Sequence, residues 1–155
     1  MEHDEALRER GIGEFEGRSY AWIAEHRPDA HAARLADPWH WRPAGGENFE
    51  DLRIRTGPLL ARLRSHPAER ILIVSHSALA RPLLGQLLDL DERAMLDVRV
   101  PNDIAYRVCL GGGGARVTRI GDEGERPGLL TGALAESLLY DPASPPVPPG
   151  AGQQS

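Results

Sequence analysis

Hydrophobic positions along the first half of this 155-residue chain follow helical spacing. Two short runs, each closed by a proline, predict helices that end before Pro28 and before Pro38. A longer run of apolar residues at helical spacing begins after Asn48, a residue type that favours the N-cap. The pattern therefore predicts two short helices and then a long amphipathic helix, with a kink at residues 57–58, where Gly precedes Pro.

A different pattern begins at Ile71. Residues 71–75 are continuously apolar up to Ser75 and rich in β-branched side chains, which favours a strand buried on both faces. A helical pattern starts immediately after His76. Residues 103–110 and 115–120 predict two strands, joined as a hairpin by the glycines at 111–114. Helix, buried strand and helix in this order are typical of the α/β class.

The pattern weakens after residue 121. A short helix is predicted around residues 129–139, and the Pro- and Gly-rich residues 141–155 are typical of a disordered tail. We therefore divide the chain into a domain at residues 1–121 and a C-terminal extension at residues 122–155 that is largely disordered.

Composition and charge narrow the classes of function. The net charge is −5, and all 18 basic residues are arginine, so the overall balance argues against nucleic acid or an anionic membrane as a partner. Neither a membrane-length apolar run nor a secretory signal pattern is present, and we expect a cytoplasmic protein. Cys109 is the only cysteine, and no two histidines are four residues apart. We therefore predict no metal site.

His76 is the first candidate for chemistry. It follows the predicted buried strand and precedes a helix, where α/β proteins bind ligands and a helix N-terminus offers N–H groups to an anion. An imidazole can act there as nucleophile, proton carrier or phosphate partner. One alternative is that His76 only caps the helix. Another makes Ser77 a hydrolase nucleophile, but Leu79 is too large for the sharp turn that this nucleophile needs.

Four segments taken together carry a family resemblance. The run "LRERGIGEFEG" at residues 7–17, which alone could be a solvated loop, resembles the "L-x-E-x-x-x-G-x-W-E-G" pattern of the phosphoglycerate-mutase-like branch of the histidine phosphatase superfamily. "GGEN" followed by "FEDLRIR" resembles that family's "G-G-E-S" and a helix with an arginine, here Arg55. "ILIVSHSALARPLL" resembles its second catalytic motif, and "VPNDIAYRVCL" the strand after it. All four occur in family order.

The resemblance implies a three-layer α/β/α fold and phosphoryl transfer through a phosphohistidine, without metal or organic cofactor. In the family, a histidine in an Arg-His-Gly motif attacks the phosphoryl group, a second histidine and arginines hold its oxygens, and an acid protonates the leaving alcohol. By matched position, the catalytic residues are His76, as the second histidine, and Glu9, as the acid. Arg10 is matched as a phosphate or substrate contact. Ser77 stands where the family commonly has glycine, and we expect it to bind phosphate because it is small enough for backbone N–H groups to approach.

The Arg-His-Gly motif is absent, because each of the six histidines follows Glu, Ala, Trp or Ser. In the family this motif lies upstream of the Leu-x-Glu motif, with two strands and two helices around it. We therefore expect residues 1–121 to form a partial domain that lacks the N-terminal strands and helices. Three explanations of the absent motif are open. We favour an open reading frame that starts at an internal Met; the others are a decayed or split gene, and a shortened protein whose exposed strand edge is covered by its own segments or by a partner. Residues 71–75 would then have an unpaired edge, open to self-association.

The sequence thus predicts a phosphomonoester hydrolase of small phosphorylated metabolites that is inactive as this chain. Phosphoglycerate mutase activity is less favoured, since no counterpart of the mutases' longer arginine-rich segment is present. The alternative from another class is a non-catalytic module that binds phosphate or a protein partner. A third possibility is a fragment without independent function.

Overall fold

The computed structural model describes residues 2–112 and 114–133. Within them, five α-helices follow two short 3-10 turns at Glu5–Leu7 and Gly13–Phe15. The helices are α1 (Tyr20–His26), α2 (Pro28–Ala36), α3 (Phe49–Arg64), α4 (Ser77–Leu88) and α5 (Glu92–Asp97). The predictions of α1, α2, α3 and the helix after His76 are confirmed, whereas α5 was not predicted.

The described residues form one antiparallel sheet. Strands β1 (Ala105–Gly111) and β2 (Gly114–Gly121) pair as the predicted hairpin, with Val108 opposite Val117. A third strand, β3 (Gly124–Pro127), adds to the free edge of β2 and was not predicted. Most of the predicted helix at residues 129–139, and all of the predicted tail, lie outside the described residues.

The start of α3 shows why the sequence folds as it does here. Asn48 accepts the backbone N–H of Asp51 at 2.8 Å, and the Asp51 carboxylate accepts the backbone N–H of Asn48 at 2.9 Å. This capping box satisfies two N–H groups that the helix cannot pair internally. The Asn48 side chain also donates to the carbonyl of His40 at 3.1 Å, which ties the preceding loop to the helix.

Three apolar clusters hold the helices together, and two of them include the loop before α3. The larger one buries Leu52 of α3 and Leu79 of α4 completely, with Trp39 stacked on Phe49 at a centroid distance of 5.8 Å. The other joins α1 to the Gly13–Phe15 turn and includes Trp41. Trp39 and Trp41 belong to the loop before α3, so both clusters fix that loop.

The predicted buried strand at residues 71–75 is not found. The segment lies outside the β1–β3 sheet, and Leu72 and Val74 are 88% and 81% exposed. Ile73 alone packs against an apolar cluster, the one containing Leu59 of α3. The prediction of burial on both faces is therefore wrong. An apolar pattern indicates that a segment is suited to a buried position, but the described residues cover only the side of the segment that carries Ile73.

Candidate functional site

A cavity of about 530 Å³ brings together most of the residues predicted from the sequence. It lies where the segment before the Gly13–Phe15 turn, α2, the starts of α3 and α4, and the segment after α5 meet. Its polar lining residues are Glu9, Arg10, Tyr20, Arg34, Ser77, Arg81 and Arg99. Glu9 and Ser77 are 68 positions apart in the chain, so the fold alone makes them neighbours of one cavity.

Arg10 is the most firmly held of these side chains. It is only 7% exposed, and its Nε and Nη2 donate to the carbonyls of Glu47 at 2.7 Å and Trp41 at 3.1 Å. The guanidinium also lies over the rings of Trp41 and Phe49, at 5.5 Å and 4.9 Å. Burial lowers the pKa of Arg10 from its ordinary value, and the positive charge of Arg34 acts in the same direction. A bound anion would relieve both effects.

Glu9 is exposed and lines the same cavity. Its Oε1 accepts the backbone N–H of Arg10 at 2.8 Å. The residues on either side are held by Glu47, whose carboxylate contacts Arg8 and Gly11. A carboxyl and a guanidinium from adjacent residues therefore border one space.

Three further arginines give the cavity a strongly positive lining. Arg34 of α2 is 6% exposed and lies over the Tyr20 ring at 4.3 Å, and burial lowers its pKa. Arg81 lies one turn after Ser77 on α4 and donates to the carbonyl of Leu96 at 3.2 Å. Arg99 follows α5. Together with Arg10 they place four positive side chains in the cavity lining, against one carboxylate, that of Glu9.

Sequence reasoning missed these three arginines. Arg81 had a usable signal, because positions four apart share one face of a helix and Ser77 was already a candidate. Arg34 and Arg99 had none, since neither is in a recognised motif and only tertiary packing brings them to the cavity.

His76 stands at the N-cap position of α4 in extended backbone conformation. Its side chain makes no capping hydrogen bond and is exposed, so the capping alternative does not describe this residue. His76 is outside the cavity lining, although Ser77 and Ala78, which follow it, are part of that lining. The structure thus brings Glu9, Arg10 and Ser77 together and leaves His76 at the margin.

A second, larger groove of about 730 Å³ runs between α3, α4 and α5. Its lining mixes acidic side chains with arginines and contains none of the predicted site residues. Size alone therefore does not identify the functional site, whereas the excess of positive charge and the predicted residues favour the smaller cavity.

Comparison with known proteins decides the family. Residues 1–123 match the family model of the histidine phosphatase superfamily (branch 1). The chain belongs to this superfamily. The resemblance inferred from four separate motifs is thereby confirmed.

Curated relatives of this histidine phosphatase superfamily member include 6-phosphofructo-2-kinase/fructose-2,6-bisphosphatase 1 of Rattus norvegicus. It is 31% identical over 115 residues, which are 74% of this chain and 24% of the relative. The Homo sapiens protein of the same name is 37% identical over 84 residues, 54% of this chain and 17% of the relative. The chain therefore spans a quarter or less of the length of these relatives.

Solved structures show the same fold. The alpha-ribazole phosphatase from Shigella flexneri superimposes with a TM-score of 0.59 at 23% identity, over 84% of this chain and 60% of its own. A mycobacterial glucosyl-3-phosphoglycerate phosphatase in complex with VO3 gives 0.57 at 25% identity, over 83% and 61%. The chain thus has the histidine phosphatase fold over most of its length and spans about 60% of these neighbours.

The described residues contain no group of three or more His, Cys, Asp or Glu side chains that could hold a metal ion. Among the same residues, no helix is long and apolar enough to cross a membrane.

Proposed function

We propose that this chain binds a small phosphorylated metabolite in the arginine-lined cavity, and that its site is that of a phosphomonoester hydrolase. The observation that carries the proposal is the meeting of four arginines, Glu9 and the first turn of a 12-residue helix around one cavity. Guanidinium groups and helix N-termini are the usual partners of phosphate oxygens in proteins. The phosphatase names of the relatives, and the vanadate bound by one neighbour, support it.

Each predicted site residue has its own role in the proposed hydrolase site. Arg10 and the backbone at Ser77 bind the phosphoryl oxygens, since stabilising this transfer is mainly electrostatic positioning. His76, directly before Ser77, is the second histidine that contacts the group. Glu9, the carboxyl group in the cavity lining, supplies the proton to the leaving alcohol.

The nucleophile is not assigned to any residue of this chain, because no histidine follows an arginine. We therefore propose that the chain binds a phosphorylated ligand without hydrolysing it. Its site is then derived from that of a hydrolase, and it acts as the non-catalytic phosphate-binding module of the alternative prediction. In this alternative, α4 and the arginines hold an anion.

The experiment combines a titration with a turnover assay. Inorganic phosphate is titrated into the protein by calorimetry, and hydrolysis of p-nitrophenyl phosphate is followed at the same protein concentration. We expect saturable phosphate binding and no hydrolysis above background. Robust hydrolysis that His76→Ala abolishes would show that His76 is the nucleophile, and absence of phosphate binding would remove the proposed function.

The number of arginines also favours a particular substrate class. The four guanidinium groups come from α2, from α4 and from the segments before the Gly13–Phe15 turn and after α5, so positive charge surrounds the cavity on several sides instead of at one point. We propose that the ligand has a second acidic group, a phosphate or a carboxylate. Competition against bound phosphate should then be stronger for a sugar bisphosphate than for the matching monophosphate.

The remaining predictions are proposals of lower detail. The three-layer α/β/α arrangement stays a prediction, as does the absence of a nucleic-acid partner, which the net charge of −5 favours. A cytoplasmic location and the domain boundary at residue 121 stay predictions.

A further inference from the structure

Glu47 does not line the cavity, yet it contacts the residues on both sides of Glu9. Its carboxylate accepts Nη1 and Nη2 of Arg8, each at 2.9 Å, and the backbone N–H of Gly11 at 3.1 Å. Its backbone N–H donates to the carbonyl of Gly11 at 2.8 Å, and its carbonyl accepts Nε of Arg10 at 2.7 Å. Residues 8, 10 and 11 are thus all tied to this one residue.

Arg55 holds the same segment from the second turn of α3. Its Nη1 lies 3.2 Å from the carbonyl oxygen of Glu5 and 3.0 Å from those of Ala6 and Arg8, and it donates to all three. Its Nη2 donates to the Glu47 carboxylate at 3.3 Å, and the Nε lies 3.1 Å from the other oxygen. The two side chains are only 15% and 16% exposed, which strengthens such charge-assisted bonds.

The segment that carries Glu9 and Arg10 needs such an anchor. Among the described residues before the Gly13–Phe15 turn, 2–12, the only regular structure is the three-residue turn at Glu5–Leu7, so no strand or α-helix there fixes the backbone. A site that acts by electrostatic positioning loses much of its effect when a charged group moves by about 1 Å. A clamp from α3, which is anchored in the core, supplies the missing rigidity.

We propose that Glu47 and Arg55 are positioning residues, which hold Glu9 and Arg10 at the cavity for a phosphorylated ligand. Neither side chain lines the cavity, so both act through the segment between them. The inference rests on the proposed function, because Glu9 and Arg10 need fixed positions only if the cavity binds a phosphorylated ligand.

Two conservative variants test the clamp. Glu47→Gln keeps the size of the side chain but removes the negative charge shared by two guanidinium groups. Arg55→Lys keeps the positive charge but cannot reach three carbonyls and a carboxylate together. The matched controls are Glu50→Gln and Arg53→Lys, which change an ion pair contained within α3.

Two measurements are made on each variant. The first is hydrogen exchange of the backbone amides of Arg10 and Gly11, and the second is the affinity for inorganic phosphate. We expect both exchange rates to rise about tenfold and phosphate to bind about tenfold more weakly, as for the loss of a charge-assisted hydrogen bond. The controls, and the amides of α4 in every variant, should change less than about twofold.

The outcomes separate this inference from the proposed function. Faster exchange at residues 10 and 11 with unchanged phosphate affinity would show a purely structural clamp and overturn the inference. Unchanged exchange, or a rise spread evenly over all helices, would overturn it as well. In these cases the unaltered chain still binds phosphate, whereas a failure of the proposed function is seen as no phosphate binding by the unaltered chain.

Discussion

Arg10 keeps a positive charge in a nearly closed part of the protein. Two backbone carbonyls and the faces of Trp41 and Phe49 surround its guanidinium, and these supply partial negative charge only. A planar guanidinium can donate to both carbonyls while lying over the rings, which an ammonium group cannot do. At the scale of the residue, the site is a buried positive charge that neutral groups hold in place.

Arg10→Lys should therefore impair both binding and stability. We expect about tenfold weaker phosphate binding and a loss of about 1–3 kcal/mol in the free energy of unfolding, because buried carbonyls lose their donors. Calorimetry and urea denaturation measure the two effects. Arg18→Lys is the control, since Arg18 is exposed and lies over the Trp22 ring at 4.6 Å. Equal effects at both positions would contradict the assigned role.

His76→Ala should separate function from stability. The His76 side chain is exposed and does not cap α4, so we expect the free energy of unfolding to change by less than about 0.5 kcal/mol. Phosphate affinity should fall if His76, next to Ser77, has the proposed role of contacting the bound group. Unchanged affinity would remove His76 from the predicted site.

At the scale of the element, Tyr106 of β1 ties the sheet to the segments that border the cavity. Its hydroxyl donates to the carbonyl of Arg99 at 2.6 Å and accepts the backbone N–H of Leu130 at 3.2 Å. Arg99 also donates its own N–H to the Leu130 carbonyl at 2.9 Å. One side chain thus joins the segment after α5 to the segment after β3.

Tyr106→Phe should destabilise the protein by about 1–2 kcal/mol, because a backbone acceptor and a donor lose their partner. Burial raises the pKa of Tyr106 above its ordinary value. Its contribution to stability is therefore complete below the unfolded pKa, near pH 10, and is lost as the pH rises through the folded pKa. Thermal melts across this alkaline range should show the decline in the unaltered protein and a smaller one in the variant.

At the scale of the whole molecule, the exposed residues of the 71–75 segment are the main unsatisfied surface. Leu72 and Val74 point away from the packed side of Ile73, and the segment is paired with no strand among the described residues. Extended apolar backbone with open hydrogen-bonding groups is a template for another chain.

We expect the purified chain to self-associate with rising concentration, as measured by sedimentation velocity. The double variant Leu72→Ser, Val74→Ser should lower the association without unfolding the protein, because both side chains are exposed. Ile54→Ser is the matched control, since Ile54 is 62% exposed on α3, away from this segment in the chain. A monomer at all concentrations, or an equal effect of the control, would disprove the prediction.

Local signals account for what could be predicted of the fold and site. Asn48 and the prolines mark helix boundaries, and the run of glycines marks the hairpin, because caps and turns depend on neighbouring residues alone. Glu9, Arg10 and Ser77 could be predicted as site residues because their motifs are contiguous, and all three line one cavity. The short α5 and β3 have weak local patterns and depend on packing or strand pairing, so the sequence pattern missed both.

The sequence by itself determined the family, the helices α1–α4 and the β1–β2 hairpin, and it predicted the motif residues of the site, since each depends on contiguous residues. Only the tertiary structure decided that residues 71–75 stay outside the sheet and that Arg34, Arg81 and Arg99 join Arg10. It also decided that Glu47 and Arg55 hold the segment around Glu9. The physical reason is the same in each case: strand pairing, burial and charge pairing join residues that are far apart in the chain.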